Sequence, residues 1–329
     1  MIANNTQKVN LNNEKIKEKE QKKMKNLELV MLYKQLYESE QLNISAQKID
    51  RVENCSTYLE FLVNADKDKF RLIGGNTCRD RFCPACSKNL STKNSIRIRA
   101  ILNWIAKEHD KEFIFLTLTA PNIQRNELEE QVNRFNIALN RMFNRKEVKR
   151  INKGYVRKLE VTYNKKDNSY HPHFHLLIAV NKSYFTDKTY INRDTWLKMW
   201  RETMRDDKIT QVDVRKAKNL DKAVLEISKY ISKDNDYLIN KDVFIAFYNA
   251  LKGKRMVSFS GLFKKGMQLF KSGELDNYLD FSNENWKYFL SLLWKKKKYN
   301  IENFKEIDEQ EINRYEFEII KDIKKETPL

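Results

Sequence analysis

The sequence predicts an α+β fold built around a mainly antiparallel sheet. Strand-like runs rich in β-branched and aromatic residues alternate along the chain with longer segments in which apolar residues recur at helical spacing. Two pairs of the strand-like runs are separated by short polar turns, a pattern that is typical of antiparallel hairpins. Hydrophobic residues form 41% and aromatic residues 12% of the 329 residues, so the chain has enough apolar surface for a folded core.

The first part of the chain divides into two predicted regions. Residues 1–50 are expected to form a charged helical extension whose lysines lie in water. Residues 51–110 are expected to form a cysteine-rich module followed by a helix. Within this region, residues 57–74 predict a hairpin with a polar turn at 64–69. Residues 88–109 predict the helix, because Ile98, Ile101 and Ile105 recur at helical spacing.

Residues 111–240 contain the alternating elements of the main predicted domain. The expected strands lie at 113–119, 155–163, 173–180 and 210–215, and the expected helices at 127–143, 195–204 and 221–232. The second and third of these strands are predicted to form a hairpin across the polar turn at 164–169. Beyond Tyr237 the chain is predicted to be helical and basic, and residues 241–329 are assigned to a C-terminal helical region.

The charge of the chain points to a polyanionic partner. Lys and Arg number 63 against 45 Asp and Glu, which gives a formal net charge of +18. Such an excess favours nucleic acid, because binding displaces counterions from phosphates, although an anionic membrane surface or solubility alone would also tolerate it. No run approaches the roughly 18–20 apolar residues that span a bilayer, and the lysine-rich start does not resemble a signal peptide, so a cytoplasmic protein is expected.

ATP-driven chemistry is not supported by the sequence. The segment from Gly261 to Gly266 is the nearest approach to a phosphate-binding loop. Met267 and Gln268 follow it, where such a loop requires Lys and then Ser or Thr. No other nucleotide-binding pattern is indicated, and no organic cofactor is expected.

Three of the 4 histidines lie in the sequence His-Pro-His-Phe-His at 171–175. In a strand, His173 and His175 share one face while Phe174 lies on the other. Two imidazoles at this spacing are suited to bind one divalent cation, and Glu160 on the neighbouring predicted strand is the acid best placed to complete the site. The alternative is that these are surface histidines and that Glu160 belongs to a surface ion pair.

The segment 221–234 predicts an amphipathic helix that carries a tyrosine. Glu226 and Tyr230 are four residues apart, so both are expected on one helix face, with Lys229 and Lys233 beside them. A phenol with a pKa near 10 is a poor nucleophile unless a cation or a metal stabilises the phenolate. The alternative is an ordinary amphipathic helix with a half-buried tyrosine.

All 4 cysteines fall between residues 55 and 86, as Cys55, Cys78, Cys83 and Cys86. In a reducing cytoplasm such a cluster predicts structural Zn²⁺ rather than disulfide bonds. The spacing between Cys78 and Cys83 departs from paired Cys-x-x-Cys motifs, so ordinary free cysteines are the alternative.

Three motifs in order carry a resemblance to a known family. They are Phe-Leu-Thr-Leu-Thr at 115–119, His-Pro-His-Phe-His at 171–175, and Glu226-x-x-Lys229-Tyr230-x-x-Lys233. In this combination the sequence resembles the rolling-circle plasmid replication initiators of the HUH endonuclease superfamily, in the subgroup whose last motif carries both Glu and Tyr. The resemblance covers roughly residues 51–275.

The resemblance implies a fold and a mechanism. The fold would be an antiparallel sheet of five strands flanked by helices, with the histidines on a central strand. His173, His175 and Glu160 would hold Mg²⁺ or Mn²⁺ as a Lewis acid. Tyr230 would attack the phosphorus and leave a 5′-phosphotyrosine and a 3′-OH primer, with Lys229 orienting the phosphate or lowering the pKa of the phenol. Glu226 would activate water at termination.

The resemblance also implies partners, and it leaves alternatives open. Plasmid origin DNA, single-stranded at the nick, would be the substrate, and a host helicase and DNA polymerase would be partners. A relaxase or single-strand transposase of the same superfamily is one alternative. A non-catalytic, zinc-containing DNA-binding regulator is the other.

Overall fold

The computed structural model describes residues 13–229, 233–279 and 284–325. The helices are α1 (Asn13–Glu38), α2 (Ala46–Glu53), α3 (Pro84–Glu108), α4 (Leu128–Phe143), α5 (Lys146–Ile151), α6 (Arg193–Met204), α7 (Leu220–Ser228), α8 (Lys241–Leu251), α9 (Gly261–Ser272) and α10 (Glu309–Lys325). The strands are β1 (Tyr58–Asn64), β2 (Phe70–Gly75), β3 (Lys111–Thr119), β4 (Gly154–Asn164), β5 (Ser169–Asn181), β6 (Val212–Lys216), β7 (Val257–Phe259), β8 (Trp286–Lys295) and β9 (Lys298–Glu306). None of the described helices is long and apolar enough to cross a membrane.

The chain forms two units, and the first comprises residues 13–86 together with 284–323. Its sheet has four strands in the order β2-β1-β8-β9, all antiparallel. The hairpin predicted at 57–74 is confirmed as β1 and β2. Side chains alternate between the two faces, so Phe61 packs on the face that meets Ile16 of α1. Leu62 packs on the other face, with Ile312 and Tyr315 of α10.

The prediction that the chain is helical beyond Tyr237 is wrong for residues 286–306. This segment forms the hairpin β8–β9, and β8 pairs with β1 more than 200 positions earlier in the chain. Lys296 and Lys297 form its turn with φ of 52° and 60°, a conformation in which Asn and Gly are usual and Lys is rare. Because the turn is formed by lysines, a search of the sequence for the usual turn residues does not identify this hairpin.

The second unit comprises residues 87–229 and 233–279 with 324–325, and it contains the five-stranded sheet. The strand order is β6-β3-β5-β4-β7, and every pairing is antiparallel. The predicted α+β class, with a five-stranded antiparallel sheet flanked by helices, is confirmed. The hairpin predicted across 164–169 is β4–β5, and β5, which carries the histidines, is the central strand.

Packing on one face of this sheet decides which face the histidines occupy. The ring of Phe174 on β5 lies 5.3 Å from the ring of Phe135 on α4. The Phe135 ring in turn lies 5.2 Å from Trp200 on α6. Because neighbouring side chains on a strand point to opposite faces, burying Phe174 under α4 and α6 places His173 and His175 on the other face.

The helix predicted at 221–232 ends earlier, at Ser228. The hydroxyl of Ser228 donates to the carbonyl of Leu225, and Lys229 has extended backbone with φ −52° and ψ 143°. A serine hydroxyl that bonds to a carbonyl of the preceding turn competes with the helical backbone pattern. Tyr230, Ile231 and Ser232 lie outside the described residues.

Candidate active site and metal sites

Three neighbouring strands bring the histidine site together. On β5, His173 lies directly opposite Glu160 of β4, and His175 lies opposite Lys158 of β4. Thr117 of β3 lies opposite His175 on its other side. Side chains opposite one another on paired strands are close neighbours on the same face, so the register alone gathers these groups.

The two imidazoles and the Glu160 carboxylate converge on one point. Nε2 of His175 lies 3.5 Å and Nε2 of His173 lies 3.8 Å from Oε2 of Glu160. One ligand atom from each of the three residues lies within 4.8 Å of the others. His173, His175 and Glu160 are 9%, 8% and 5% exposed, so all three are largely shielded from solvent. Ligand atoms at these separations fit around a single divalent ion with bonds of about 2.0–2.2 Å.

Hydrogen bonds to the far nitrogens orient both rings. Nδ1 of His173 lies 3.2 Å from the carbonyl oxygen of His171, and Nδ1 of His175 lies 3.2 Å from the hydroxyl oxygen of Thr117. A carbonyl oxygen only accepts, so Nδ1 of His173 must donate, which leaves the Nε2 lone pair directed toward Glu160. Metal-binding histidines are usually held by such a bond from the second ring nitrogen.

His173 and Glu160 are held in the protonation states that a cation requires. Burial, with the charge of His175 beside it, lowers the pKa of His173 to about 4, so this imidazole is neutral at neutral pH. Burial would raise the pKa of Glu160, but the hydrogen bond from His175 and the charge of Lys158 outweigh it and hold that pKa well below its usual range. A neutral imidazole and an ionised carboxylate are the forms that bind metal.

Lys158 is a site residue that the sequence analysis missed. Its side chain is 1% exposed, and Nζ donates to Oε2 of Glu160, which is the oxygen facing the histidines. Burial lowers the pKa of Lys158, while Glu160 opposes that shift. The alternation of side chains along β4 places Lys158 and Glu160 on the same face of the sheet. This alternation is the sequence feature that could have identified Lys158 as a residue of the site.

Glu226 and Lys229 lie at the same site. Oε1 of Glu226 lies 3.5 Å from Nε2 of His175, and its other oxygen accepts a hydrogen bond of 2.8 Å from Nζ of Lys229. Burial would raise the pKa of Glu226, but the hydrogen bond from Lys229 and the charge of His175 lower it overall. The same hydrogen bond raises the pKa of Lys229. The structure thus gathers Glu160, the two histidines, Glu226 and Lys229, whereas Tyr230 is not among the described residues.

The four cysteines form a second cluster, within the first unit. Sγ of Cys55 lies 3.5 Å from Cys86 and 3.6 Å from Cys83, and Sγ of Cys78 lies 3.6 Å from Cys86. All four sulfurs lie within 4.8 Å of one another, and no disulfide joins them. A tetrahedral Zn²⁺ site with Zn–S bonds of about 2.3 Å has sulfur–sulfur edges of about 3.8 Å, so the cluster fits such an ion.

Residues 69–304 match the model of a family described as "Replication protein". "Protein rep" of Staphylococcus aureus is 46% identical over 201 residues, which cover 60% of this chain and 88% of that protein. "Protein rep" of Streptococcus pneumoniae serotype 2 is 33% identical over 264 residues, which cover 78% of this chain and 80% of the relative. "Protein rep" of Lentilactobacillus hilgardii is 31% identical over 251 residues, covering 72% and 79%. No solved structure is significantly similar to this chain.

Proposed function

The chain belongs to the replication protein family, and from that premise we propose that it starts rolling-circle replication of a plasmid by nicking one strand of the origin DNA. Family membership confirms the resemblance that the sequence motifs indicated. The observation that carries the proposed chemistry is the convergence of Glu160, His173 and His175, with Glu226 beside them. Imidazole and carboxylate groups bind divalent ions, and an ion held in this way can polarise a phosphoryl oxygen as a Lewis acid.

The proposed ion is Mg²⁺ or Mn²⁺, held by His173, His175 and Glu160. When bound, the ion supplies Lewis acidity to the scissile phosphate. Neighbouring groups orient the ligands for this ion. The Thr117 hydroxyl and the backbone carbonyl of His171 orient the imidazoles, and the Lys158 ammonium group binds the Glu160 carboxylate. A preorganised site of this kind does not have to rearrange when the charged substrate arrives.

Tyr230 is the proposed nucleophile. Its phenol oxygen would form a bond to phosphorus while the bond from phosphorus to the 3′ oxygen breaks, which leaves a 5′-phosphotyrosine and a free 3′-OH. The 3′-OH would prime a host DNA polymerase, and a host helicase would open the duplex ahead of it. The preceding residue, Lys229, supports this role because its ammonium group lies at the site, where it pairs with Glu226.

Glu226 is proposed to act at termination. Its carboxylate is ionised at neutral pH, lies beside the histidines and is about a third exposed, so solvent water has access to it. Acting as a general base, it would take a proton from a water whose oxygen forms a bond to phosphorus at the second cut. The bond from phosphorus to the 3′ oxygen would break, which leaves a 5′-phosphate and a free 3′-OH. Hydrolysis would end the cycle without a second tyrosine.

A labelled oligonucleotide assay tests the nicking proposal. Single-stranded DNA from the plasmid origin is incubated with the protein and Mn²⁺, and a covalent protein–DNA adduct is sought on a denaturing gel. Tyr230→Phe is expected to abolish the adduct, whereas Tyr190→Phe, which alters an exposed tyrosine, is expected to retain it. An adduct from Tyr230→Phe would show that another tyrosine attacks. No adduct from the wild-type protein with any divalent ion would favour the non-catalytic regulator.

The four-cysteine cluster is proposed to bind a structural Zn²⁺. A site closed by four thiolates leaves no open position for a substrate, so it would stabilise the fold rather than catalyse a reaction. Metal analysis of protein purified without chelators is expected to find one zinc per chain. Cys83→Ser, at a fully buried ligand, is expected to remove that zinc.

A further inference from the structure

Helix α1 turns polar side chains toward the interior of the first unit. Lys23 is 1% exposed, and Asn26 and Tyr33 are fully buried. They recur at helical spacing on the buried face, next to apolar residues such as Val30. Lysines in this helix are expected to lie in water, and Lys25 does so. A buried lysine and a buried asparagine on such a face require a polar or charged neighbour.

That neighbour is the four-cysteine cluster and the chain around it. Nζ of Lys23 donates to Oδ1 of Asn26 at 2.9 Å, to the carbonyl of Glu53 at 2.7 Å and to the carbonyl of Cys55 at 2.6 Å. Nδ2 of Asn26 donates to the carbonyl of Val52 at 3.0 Å and lies 3.5 Å from Sγ of Cys83. The amide of Asn26 therefore reaches one of the sulfurs directly.

The ammonium group of Lys23 uses its three protons on uncharged acceptors. Among the ion pairs within the described part of the chain, none joins Lys23 to a carboxylate. A buried cation is costly unless an anion lies close to it. Four thiolates around one divalent ion carry a net charge of −2, so the cluster becomes that anion once the ion is bound.

We propose that Lys23 and Asn26 complete the four-cysteine site as its charge-balancing and sulfur-bonding residues, so that zinc binding fixes helix α1 to the rest of the first unit. The inference rests on the proposed zinc site and adds a part of the chain that precedes the family match at residue 69. Metal centres depend on such hydrogen-bonding partners outside the ligands for affinity.

A second set of contacts ties the cysteine loop to the same helix. The hydroxyl of Tyr33 on α1 lies 3.1 Å from both carboxylate oxygens of Asp80. Asp80 also accepts the backbone N–H of Phe82 at 2.8 Å and pairs with Lys48 of α2 at 2.9 Å. Asp80 lies between Cys78 and Cys83 in the sequence, so α1 contacts this loop through Tyr33 as well as through Asn26. Ordering of the loop by zinc is therefore expected to order α1.

Zinc affinity tests the role of Lys23. Metal-free protein is titrated with Zn²⁺ in the presence of a competing chromogenic chelator. Lys23→Met is expected to lower the affinity by about 10–100-fold. Lys25→Met, which removes an exposed lysine two positions along the same helix, is the matched control and is expected to bind like wild type. Equal affinities in the two variants would overturn the role of Lys23.

If Lys23→Met does not fold, the variant Asn26→Leu and the hydrogen exchange of α1 in the wild-type protein provide two further tests. Asn26→Leu keeps the volume but removes the donor to Cys83, and it is expected to lower zinc affinity in the same assay. In wild-type protein, removing zinc with a chelator is expected to abolish the hydrogen-exchange protection of α1 and leave β3 and β5 protected. Unchanged protection of α1 would overturn the coupling.

The possible failures are distinguishable. Absence of zinc from the wild-type protein, with no uptake in titration, would remove both the zinc site and its coupling to α1. If zinc binds equally well to the Lys23 and Asn26 variants, the proposed zinc site is supported and only the proposed role of α1 residues in zinc binding is contradicted. The nicking proposal depends on residues of the other unit and is judged by adduct formation in Mn²⁺ alone.

Discussion

Nε2 of His175 lies 3.5 Å from Oε1 of Glu226, the same distance that separates it from Oε2 of Glu160. One imidazole nitrogen therefore lies between two carboxylates that differ in surroundings. The Glu160 side chain is 7% exposed and held by Lys158, whereas the Glu226 side chain is 33% exposed and held by Lys229. The buried carboxylate suits a fixed ligand, and the more open one suits contact with water or DNA.

The first prediction concerns the ion-binding residues. Replacing His173 or His175 by alanine is expected to lower Mn²⁺ affinity by at least about tenfold, because each ring supplies one of three converging ligand atoms. Isothermal titration calorimetry measures the affinity. His171→Ala is the matched control, since its ring lies on the same strand but outside the converging set. An equal loss in His171→Ala would contradict the assignment of ligands.

The second prediction concerns Thr117, whose hydroxyl lies 3.2 Å from Nδ1 of His175. Thr117→Val keeps the shape of the side chain and removes the partner that orients the ring, so Mn²⁺ affinity is expected to fall about tenfold while the fold is retained. Thr119→Val is the control, because the Thr119 hydroxyl donates instead to the carbonyl of Gln211. Calorimetry on the two variants should separate them; a normal affinity in Thr117→Val would exclude the orienting role.

The third prediction separates the two proposed chemical steps. Glu226→Gln keeps the size of the side chain and removes its basicity. The covalent adduct is expected to form at close to the wild-type rate, while hydrolytic release at a second cut slows by about 10²–10⁴-fold. Quenched-flow sampling on denaturing gels measures both steps. Glu112→Gln, in an exposed pair with Lys216, is the control. Loss of adduct formation in Glu226→Gln would place this residue in the first step instead.

The sequence predicts the arrangement of β4 and β5 because two simple constraints determine it. Alternation along each strand decides the face, and the short turn decides the register, so Glu160 comes to lie opposite His173. The same reasoning could not reveal that Lys158 is buried. Its cover comes in part from α7, where the carbonyl of Glu226 lies 3.5 Å from Nζ of Lys158, and that packing joins segments 68 residues apart.

Lys23 illustrates a second limit of sequence reasoning. In the sequence it is one of several lysines that alternate with glutamates, a pattern that indicates a solvated helix. Its burial depends on carbonyl groups of Glu53 and Cys55 that lie some 30 residues further along the chain. A pattern within one helix carries no information about such backbone acceptors, so only the packed structure distinguishes Lys23 from Lys25.

The last prediction follows from the turn between β8 and β9. Lys297 has φ of 60°, where a non-glycine residue is strained by about 1–2 kcal/mol. Lys297→Gly removes that strain but adds freedom to the unfolded chain, which costs about 0.5–1 kcal/mol. The free energy of unfolding is therefore expected to rise by about 0.5–1 kcal/mol. Urea unfolding followed by tryptophan fluorescence measures it, since Trp286 and Trp294 lie in β8.

Lys295→Gly provides the comparison for this turn. Lys295 ends β8 opposite Lys298 and lacks a positive φ, so glycine there relieves no strain, adds freedom to the unfolded chain and removes the surface ion pair with Glu302. Both substitutions remove one positive charge from the same hairpin, so the change in net charge is the same, but Lys295→Gly also removes an ion pair, the one with Glu302. A stabilised Lys297→Gly beside a destabilised Lys295→Gly is the expected pair of results. Equal destabilisation of the two would mean that the left-handed turn at Lys297 is not the source of strain.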